Sequence, residues 1–258
     1  MHVDILIRHA SKLDEDRIVA FFEQNPSIFI RERGEDELLA ALENQTLFIA
    51  QTLQPHDGAR RIIAVSALYE LNPGSSDVPF LQALDTSRDG ANVIQFPTTD
   101  VEEIAYWEAG SSIVAAEYRG ARLHPIFHCC RILHVALTSA DPDSWEIFTK
   151  IADDNTKSVD TALKSGWVAW PEMDLPAVLK SSVVPGKTIY RFGKDRLSEI
   201  AANLMRGDHV LELRPTVLDP KTKERKKLTT SKFLNVFIDL PMTSHADTRA
   251  DLLEIMNS

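Results

Sequence analysis

Four consecutive residues in the middle of the chain, Arg119-Gly120-Ala121-Arg122, have the types expected of a site that binds an anion. They lie between an apolar, strand-like segment at 108–116 and a segment at 123–134 with apolar residues at helical spacing. A strand that turns sharply into a helix leaves the N–H groups of the first helical turn without acceptors, and the helix dipole favours negative charge there. The sequence therefore predicts a cradle for a phosphate or a pyrophosphate.

A second polar segment follows at 153–167. Asn155 or Thr156 is a predicted helix N-cap, the helix extends to about Lys164, and Gly166 occupies the position favoured just past a helix end. One predicted helix and one predicted strand separate the two segments. The chain thus offers two strand-to-helix junctions at which a ligand could bind.

Alternating and helical apolar spacings predict the elements that position these junctions. The predicted elements, in order, are a strand at 3–7, helices at 11–22 and 36–42, strands at 46–52, 61–71 and 108–116, a helix at 123–134, a strand at 145–151, a helix at 155–164, strands at 167–170 and 188–192, a helix at 197–205, a hairpin of 210–218 with 233–240, and a helix at 246–256. Residues 72–103 show little periodicity. We interpret them as an insertion or lid, because loops of that length are usually functional or mobile.

The segment IVAAEYRGARL resembles the acyl-CoA-binding motif of the GNAT superfamily of N-acyltransferases. The residues that match this motif are Val114, Glu117, Tyr118, Arg119 and Gly120. The downstream NTKSVDTALKSGW resembles the second signature of the superfamily, and its matching residues are Asn155, Ser158, Gly166 and Trp167. The two signatures have the spacing that the superfamily uses, and the resemblance covers roughly residues 1–192.

This resemblance implies an α/β (α+β) fold with a central, mostly antiparallel sheet, splayed at its middle strands and flanked by helices. Residues 1–192 would form the acyltransferase domain, with 72–103 inserted. Residues 193–258 would form a C-terminal extension of helix, hairpin and helix, which could make a homodimer contact or cover the acceptor site. No acyl-enzyme is expected, because the acceptor amine attacks the thioester directly.

The implied reaction moves an acetyl or other short acyl group from acyl-CoA to a primary amine. Acetyl-CoA would be the co-substrate, and a small molecule or a peptide would supply the amine. An alternative also follows from the sequence, namely a non-catalytic module that binds acyl-CoA or a protein on a GNAT scaffold. Its basis is the absence of two glycines and one tyrosine that the superfamily pattern contains.

The resemblance also assigns coenzyme contacts. The implied contacts are backbone groups of Ile113 and Val114 for the pantetheine and thioester, N–H groups of Arg119, Gly120, Ala121, Arg122, Leu123 and His124 for the pyrophosphate, and Asn155 and Ser158 for the coenzyme arm. Arg122 and His124 stand where the pattern has its further glycines. Glycine lets a backbone approach a ligand closely, so these side chains either crowd the pyrophosphate or bind its oxygens themselves.

Catalysis would need a base, because an amine is protonated at neutral pH and must lose a proton before it attacks. Glu108 lies eleven residues before Arg119, where many members carry a catalytic glutamate. The competing interpretation is a structural glutamate paired with an arginine. Many members place a general acid, a tyrosine, where this chain has Ala162, and Tyr190 or Tyr118 would have to replace it.

Composition narrows the classes of function further. The 258 residues carry a formal net charge of -10, which argues against general nucleic-acid binding, since clustered Lys and Arg drive phosphate-backbone contacts. The two adjacent cysteines, Cys129 and Cys130, exclude a disulfide framework. The sequence shows no signal-peptide pattern and no apolar run of the roughly 20 residues that span a bilayer. We expect a cytoplasmic protein without a membrane partner.

A metal site is the weaker interpretation of the histidines near the predicted cradle. His124 and His128 are four residues apart, with Cys129, Cys130 and His134 nearby. No third ligand has a convincing position on the same helical face, and cysteine is commonly a small buried apolar residue. The sequence therefore predicts no metal.

Overall fold

The computed structural model of the chain describes residues 2–27, 35–54, 60–71, 104–139, 144–180, 182–205, 209–213, 216–218, 225–227 and 232–240. The predicted insertion at 72–103 and the predicted final helix at 246–256 lie outside these residues.

The described helices and strands follow the predicted order. The helices are α1 (Glu15–Gln24), α2 (Glu35–Glu43), α3 (Leu123–Thr138), α4 (Thr156–Lys164), α5 (Ala177–Lys180) and α6 (Leu197–Met205). The strands are β1 (His2–His9), β2 (Leu47–Thr52), β3 (Ile62–Leu71), β4 (Ala105–Val114), β5 (Trp145–Ala152), β6 (Trp167–Ala169), β7 (Lys187–Phe192), β8 (His209–Leu213), β9 (Thr216–Leu218), β10 (Arg225–Lys227) and β11 (Lys232–Asp239).

Nine strands form one sheet in the order β6-β7-β5-β4-β3-β2-β1-β11-β8. The pairs β4–β5 and β1–β11 are parallel, and the other pairs are antiparallel. The predicted fold class, a mixed and mostly antiparallel sheet flanked by helices, is confirmed.

Helices cover both faces of the sheet, and we name the faces by what covers them. The front face packs against Ile18 and Phe21 of α1, against Ala41 and Leu42 of α2, and, beside β5 and β7, against the segment 170–179. The back face packs against α3, α4 and α6. Strands β2 and β3 are therefore buried on both sides, which explains why their sequences are nearly continuous apolar runs.

The parallel pair β4–β5 is splayed at one end. Pairing runs from Ala105 with Trp145 to Glu108 with Phe148, and both strands continue beyond the last pair without pairing to each other. Next to the point of separation, the Thr149 hydroxyl donates a hydrogen bond of 2.8 Å to the Ala109 carbonyl oxygen. The sheet thus opens into a wedge between residues 109–114 and 149–152.

Two described strands of the C-terminal region, β8 and β11, belong to this same sheet. Strand β11 pairs in parallel with β1 along its length, and β8 pairs with the outer edge of β11. The predicted hairpin is confirmed where 209–213 meets 232–236. Residues 216–218 instead pair with 225–227 in a separate two-stranded sheet.

Candidate functional site

The open end of the β4–β5 wedge lies next to two helix N-termini. Because β4 and β5 are parallel, their C-terminal ends reach the same edge of the sheet. Strand β4 leads through a short turn into α3, and β5 leads through Asp153–Asn155 into α4. The two segments singled out in the sequence are therefore brought together at one edge.

The N-terminus of α3 has the backbone geometry of an anion site. Gly120 has φ 90°, and Arg122, the N-cap residue, has φ 59° and ψ 31°. No side chain caps this helix, and its first turn contains no acidic residue. The N–H groups of that turn therefore have no acceptor within the helix, and the positive end of the helix dipole is not neutralised.

Arg122 has a backbone conformation that glycine adopts more readily than arginine does. A left-handed backbone is uncommon for residues with a Cβ atom and costs them of order 1 kcal/mol or more. Arg122 is exposed, so the core does not confine its side chain. The side chain therefore adds a positive charge at the helix start while the glycine-like backbone is kept.

The other residues of the predicted cradle divide into exposed and core positions. Arg119 is exposed, and its Nε donates a 3.1 Å hydrogen bond to the carbonyl oxygen of Val114. A Cβ added to Gly120 would meet no atom within 4 Å, so this turn is open. Ala121 and Leu123 are buried in the core against the back face. Their predicted contribution is a backbone N–H, and burial of the side chains fixes where that backbone lies.

His124 is neutral at neutral pH. Burial first, and then the guanidinium charge of Arg131, lower its pKa to about 4. Burial and Arg131 also hold the pKa of His128 well below its usual range. Arg122 and His124 stand at the two positions where the pattern in the sequence analysis has glycine. Of their side chains, only that of Arg122 therefore offers a positive charge to a bound anion.

The end of β4 places the other two predicted coenzyme contacts. Ile113 and Val114 lie in the part of β4 that does not pair with β5, and their side chains are buried on opposite faces of the sheet. Their backbone therefore borders the wedge. This location agrees with the predicted contact to an extended arm running along the strand.

The N-terminus of α4 differs from that of α3 because a side chain caps it. Asn155 is the N-cap, and its side-chain oxygen accepts a hydrogen bond of 3.4 Å from the N–H of Ser158. Both residues are partly exposed at the edge where the wedge opens. The side-chain oxygen of Asn155 is thus already used within the helix.

Glu108 lies on the front face at the base of the wedge. Its side chain is 8% exposed, and its Oε2 lies 3.0 Å from Nζ of Lys150, which is 10% exposed. Glu108 is the last β4 residue that pairs with β5, and Lys150 follows two residues after its partner Phe148. The ion pair therefore bridges the two strands where they separate. The predicted structural alternative, pairing with an arginine, is replaced by pairing with a lysine.

Two hydroxyl groups lie near this pair on the front face. Tyr69 of β3 is the cross-strand partner of Glu108, and its hydroxyl lies 2.8 Å from Oγ of Ser111. Ser111 has φ 48° and belongs to a β-bulge, in which Ser111 and Ser112 oppose Ser66 alone. We call Tyr69, Glu108, Ser111 and Lys150 the front-face polar cluster.

The back side of the same bulge is held by a buried arginine. Arg131 of α3 is 2% exposed and donates from Nη1 to Oγ of Ser112 at 3.1 Å and from Nη2 to Nδ1 of His128 at 2.9 Å. The Ser112 hydroxyl lies 2.6 Å from that of Ser66. Within the described part of the chain no carboxylate pairs with Arg131, and burial lowers its pKa to about 10. The bulge is thus fixed by polar contacts on both faces.

Comparisons with known proteins give matches among solved structures alone. No protein-family model matches the sequence, and no curated protein matches it. Among solved structures, the chain is similar to Naa50 of Arabidopsis thaliana in complex with the bisubstrate analogue CoA-Ac-MVNAL, with a TM-score of 0.45 and 9% identity over 73% of this chain and 98% of that one. It is similar to the NatC complex bound to Gag peptide and CoA, with a TM-score of 0.48 and 10% identity over 73% and 96%. It is also similar to the GNAT-family acetyltransferase of Streptococcus pneumoniae, with a TM-score of 0.43 and 13% identity over 73% and 99%.

The mixed, mostly antiparallel sheet flanked by helices is consistent with the GNAT-like fold that the resemblance in the sequence implied. Similarity at these identities concerns the fold and does not extend to the substrate or the chemistry.

Neither Tyr190 nor Tyr118, the tyrosines that the sequence suggested as the general acid, belongs to the front-face polar cluster. Tyr190 pairs with Thr149 and packs into the back-face core, whereas Glu108 lies on the front face. Burial raises the pKa of Tyr190. Tyr118 lies in the turn before α3, and burial raises its pKa as well. Ala162 of α4 is fully buried.

The described residues contain no group of three or more histidine, cysteine or acidic side chains that could hold a metal ion. Burial raises the pKa of the Cys129 thiol to about 11 and that of the Cys130 thiol further. No helix in the described ranges combines the length and the apolarity needed to cross a bilayer.

The sequence analysis missed Tyr69, Ser111, Lys150 and Arg131. A lysine within the apolar run Trp145–Ala152 is itself a signal, because a charged side chain in a buried strand needs a partner. The other three residues become visible only through strand register and the bulge. These features depend on contacts between distant parts of the chain.

Proposed function

We propose that this chain is an N-acyltransferase that moves an acetyl or other short acyl group from acyl-CoA to a primary amine. The observation that carries the proposal is the separation of β4 from β5 directly after Glu108, below an uncapped helix N-terminus. This arrangement offers an anion site, a channel for an extended arm and a buried carboxylate, in that order along one strand.

The anion site fits a pyrophosphate. The backbone N–H groups of Gly120 and of residues 122–124 are the donors that would bind it, because the N–H groups of Arg119 and Ala121 already donate to the carbonyl oxygens of Ala116 and Tyr118. The guanidinium groups of Arg119 and Arg122 supply positive charge, and a guanidinium can bind two phosphate oxygens at once. Neutral His124 can contribute only a hydrogen bond.

The wedge fits the pantetheine arm. Backbone groups of Ile113 and Val114, which β5 does not pair with, would bind the amides of the arm and orient the thioester. Asn155 and Ser158 would contact the arm from the start of α4. Because Asn155 Oδ1 already accepts from the Ser158 N–H, the amide nitrogen of Asn155 is the group that remains for the ligand.

Glu108 would act as the base. The acceptor amine loses a proton to the Glu108 carboxylate, its nitrogen forms a bond to the thioester carbon, and the carbon–sulfur bond breaks. The ammonium form of the acceptor loses two protons in all, the first to Glu108 and the second when the amide forms. One of the two passes to the departing thiolate and the other to solvent. In our proposal Glu108 acts within an ion pair with Lys150, so the base belongs to a charged pair and not to an isolated carboxylate.

Few residues are candidates for the general acid, the group that protonates the departing thiolate. The sequence suggested Tyr190, and its place in the back-face core would require the leaving thiolate to be reached from the side of the wedge opposite Glu108. A water molecule held by the front-face polar cluster is the other route for this proton. Tyr190→Phe distinguishes the two routes, because loss of the acid would slow thiol release.

A non-catalytic acyl-CoA-binding module is the second candidate function. It is favoured by Ala162 at the position where the superfamily pattern has its tyrosine, and by the burial of that alanine. Such a module would bind acyl-CoA at the same anion site but would not transfer the acyl group.

The two functions differ in turnover and not in binding. Calorimetry with acetyl-CoA measures binding, and thiol release over a panel of amines measures transfer. We expect both binding and thiol release. Binding without release for any amine would favour the module, and no binding of acetyl-CoA would contradict both functions.

A further inference from the structure

The front-face polar cluster has a composition that bears on the identity of the acceptor. It holds one carboxylate, one ammonium group and two hydroxyl groups, with the Glu108 and Lys150 charges 3.0 Å apart and both side chains at least nine-tenths buried. What we infer about the acceptor rests on the proposed function. It concerns the substrate that Glu108 would deprotonate.

An amine that reaches Glu108 also approaches Lys150. The ammonium of Lys150 repels any acceptor whose groups are all cationic, and burial strengthens that repulsion because water screens it less. A negative group on the acceptor would reverse this effect. Lys150 therefore discriminates among amines by the charge next to the amino group.

An α-amino acid has the complementary arrangement of charges. A single carbon separates its amino group from its carboxylate, so the two groups are about as close together as Glu108 and Lys150. The amino group can face Glu108 while the carboxylate faces Lys150. A lysine ammonium has three donors, so Lys150 can contact Glu108 and the acceptor carboxylate together.

The hydroxyl groups of Tyr69 and Ser111 are consistent with this arrangement. Each can donate or accept a hydrogen bond, so they can satisfy polar atoms of the acceptor without adding charge. The bulge at Ser111 is fixed from the back face through Ser112 and Arg131. The cluster is therefore held in place before a substrate arrives.

We infer that the acceptor is an amine with a carboxylate on the carbon next to its amino group, that is, a free α-amino acid. Glu108 contacts its amino group and Lys150 contacts its carboxylate. Polyamines and the side-chain amines of proteins are poor acceptors. A peptide N-terminus, which has an amide in place of the carboxylate, is a weaker acceptor than the free amino acid.

The test compares three forms of each acceptor. The twenty common L-amino acids, their α-amides and the matching decarboxylated amines are assayed by thiol release from acetyl-CoA. For the side chains that the protein accepts, we expect kcat/KM to be higher for the acid than for the amide or the amine by roughly tenfold or more, because a site built for a polar group rejects analogues that lack it. Equal or faster turnover of the amides or amines would overturn the inference.

Variants of Lys150 show whether this residue sets the preference. Lys150→Met should bring the acid-to-amide ratio of kcat/KM close to one, and Lys150→Arg should preserve the preference. A residue with only a structural role would lower both rates and leave their ratio unchanged. Lys12→Met is the matched control, because Lys12 forms an exposed ion pair with Glu43 away from the wedge.

A binding measurement separates this inference from the proposed function. Calorimetry on the CoA-loaded protein should detect an amino acid and fail to detect its amide, and Lys150→Met should remove the difference. Such binding without thiol release would contradict the proposed catalysis and support the acceptor site. Thiol release with amides as good as acids would contradict the acceptor site alone.

Discussion

The start of α3 and the front-face polar cluster are built in different ways. We call the former, residues 119–124, the phosphate end of the wedge, because we propose that the pyrophosphate binds there. At the phosphate end, backbone N–H groups of the first turn of α3 have no acceptor within the helix, and the nearby arginine side chains are exposed. At the cluster, side chains are buried and contact one another, as Glu108 and Lys150 do. Donors without partners suit the binding of a ligand, whereas mutually paired side chains suit a precise geometry.

This difference implies that binding of the coenzyme and transfer of the acyl group can be changed separately. Substitutions at the phosphate end should alter the affinity for the coenzyme. Substitutions in the cluster should alter the rate and the stability of the fold. The following predictions test that separation, beginning with the largest expected effect.

Glu108→Gln should lower kcat by roughly 10²–10⁴-fold, because the amide cannot accept a proton from the acceptor amine. The Kd for acetyl-CoA should stay within about twofold, since Glu108 lies at the far end of the wedge from the anion site. Thiol release and calorimetry measure the two quantities. Glu70→Gln is the control, because Glu70 is exposed on the neighbouring strand. Unchanged turnover in Glu108→Gln would remove Glu108 as the base.

Lys150→Met should lower the free energy of unfolding by about 3 kcal/mol at neutral pH, because it leaves the buried Glu108 carboxylate without its ammonium partner. The double variant Glu108→Gln with Lys150→Met should be more stable than the single lysine variant. Urea denaturation of the wild type, Glu108→Gln, Lys150→Met and the double variant gives the coupling energy between the two residues. Additive effects of the two substitutions on the free energy of unfolding would mean that the ion pair contributes no stability of its own. The side chains of the cluster would then be no more coupled than those of the phosphate end.

Arg122→Gly should change stability and affinity in opposite directions. Glycine removes the cost of the left-handed backbone at φ 59° and should raise the free energy of unfolding by up to about 1 kcal/mol. It also removes one guanidinium, so the Kd for coenzyme A should rise by roughly tenfold at low salt. Arg122→Ala keeps the backbone cost and loses the charge. A glycine variant that binds more tightly than wild type would show that the arginine side chain crowds the pyrophosphate.

His124→Gln should change the affinity for coenzyme A by a factor that is constant between pH 5.5 and 8. The pKa of His124 is lowered to about 4 by burial, so the side chain stays neutral throughout that range in the folded protein. Comparing two proteins at each pH cancels the titration of the ligand. A wild-type protein that gains affinity over the variant on acidification would contradict a neutral His124.

The same lowered pKa has a consequence for stability. The unfolded chain binds a proton at His124 near pH 6.5, and the folded protein does so only near pH 4. The unfolded state therefore gains more protons as the pH falls through this window, and the free energy of unfolding should decrease. His9 and His134, whose pKa values are also lowered to about 4 by burial, add to this decrease.

The sequence allowed more of the phosphate end to be predicted than of the cluster. The turn at Arg119–Arg122 and the cap at Asn155 are local features, because each depends on residues within one strand-to-helix junction. The conformation of Arg122 is local as well, because it belongs to the turn directly before α3.

The cluster could not be predicted because its members meet through strand register. Glu108 contacts Lys150 only because β4 and β5 are parallel and separate after Phe148, and Tyr69 reaches Ser111 across the bulge. Tyr190 also shows that strand register decides which side chains meet. Its residue type suited an acid, but the alternation of β7 places its side chain on the face opposite Glu108. A shift of one residue in register would reverse that outcome.

The parallel pairing of β1 with β11 has a consequence for how the protein is made. β1 is synthesised well before β11, and one of its edges has no partner until β11 follows, which takes on the order of tens of seconds at ordinary translation rates. Throughout that time the edge of a strand with fully buried Ile5 and Ile7 is open to other chains. Charged residues within the strand, Asp4 and Arg8, make such pairing less favourable. Strand β1 therefore carries its own protection until β11 is made.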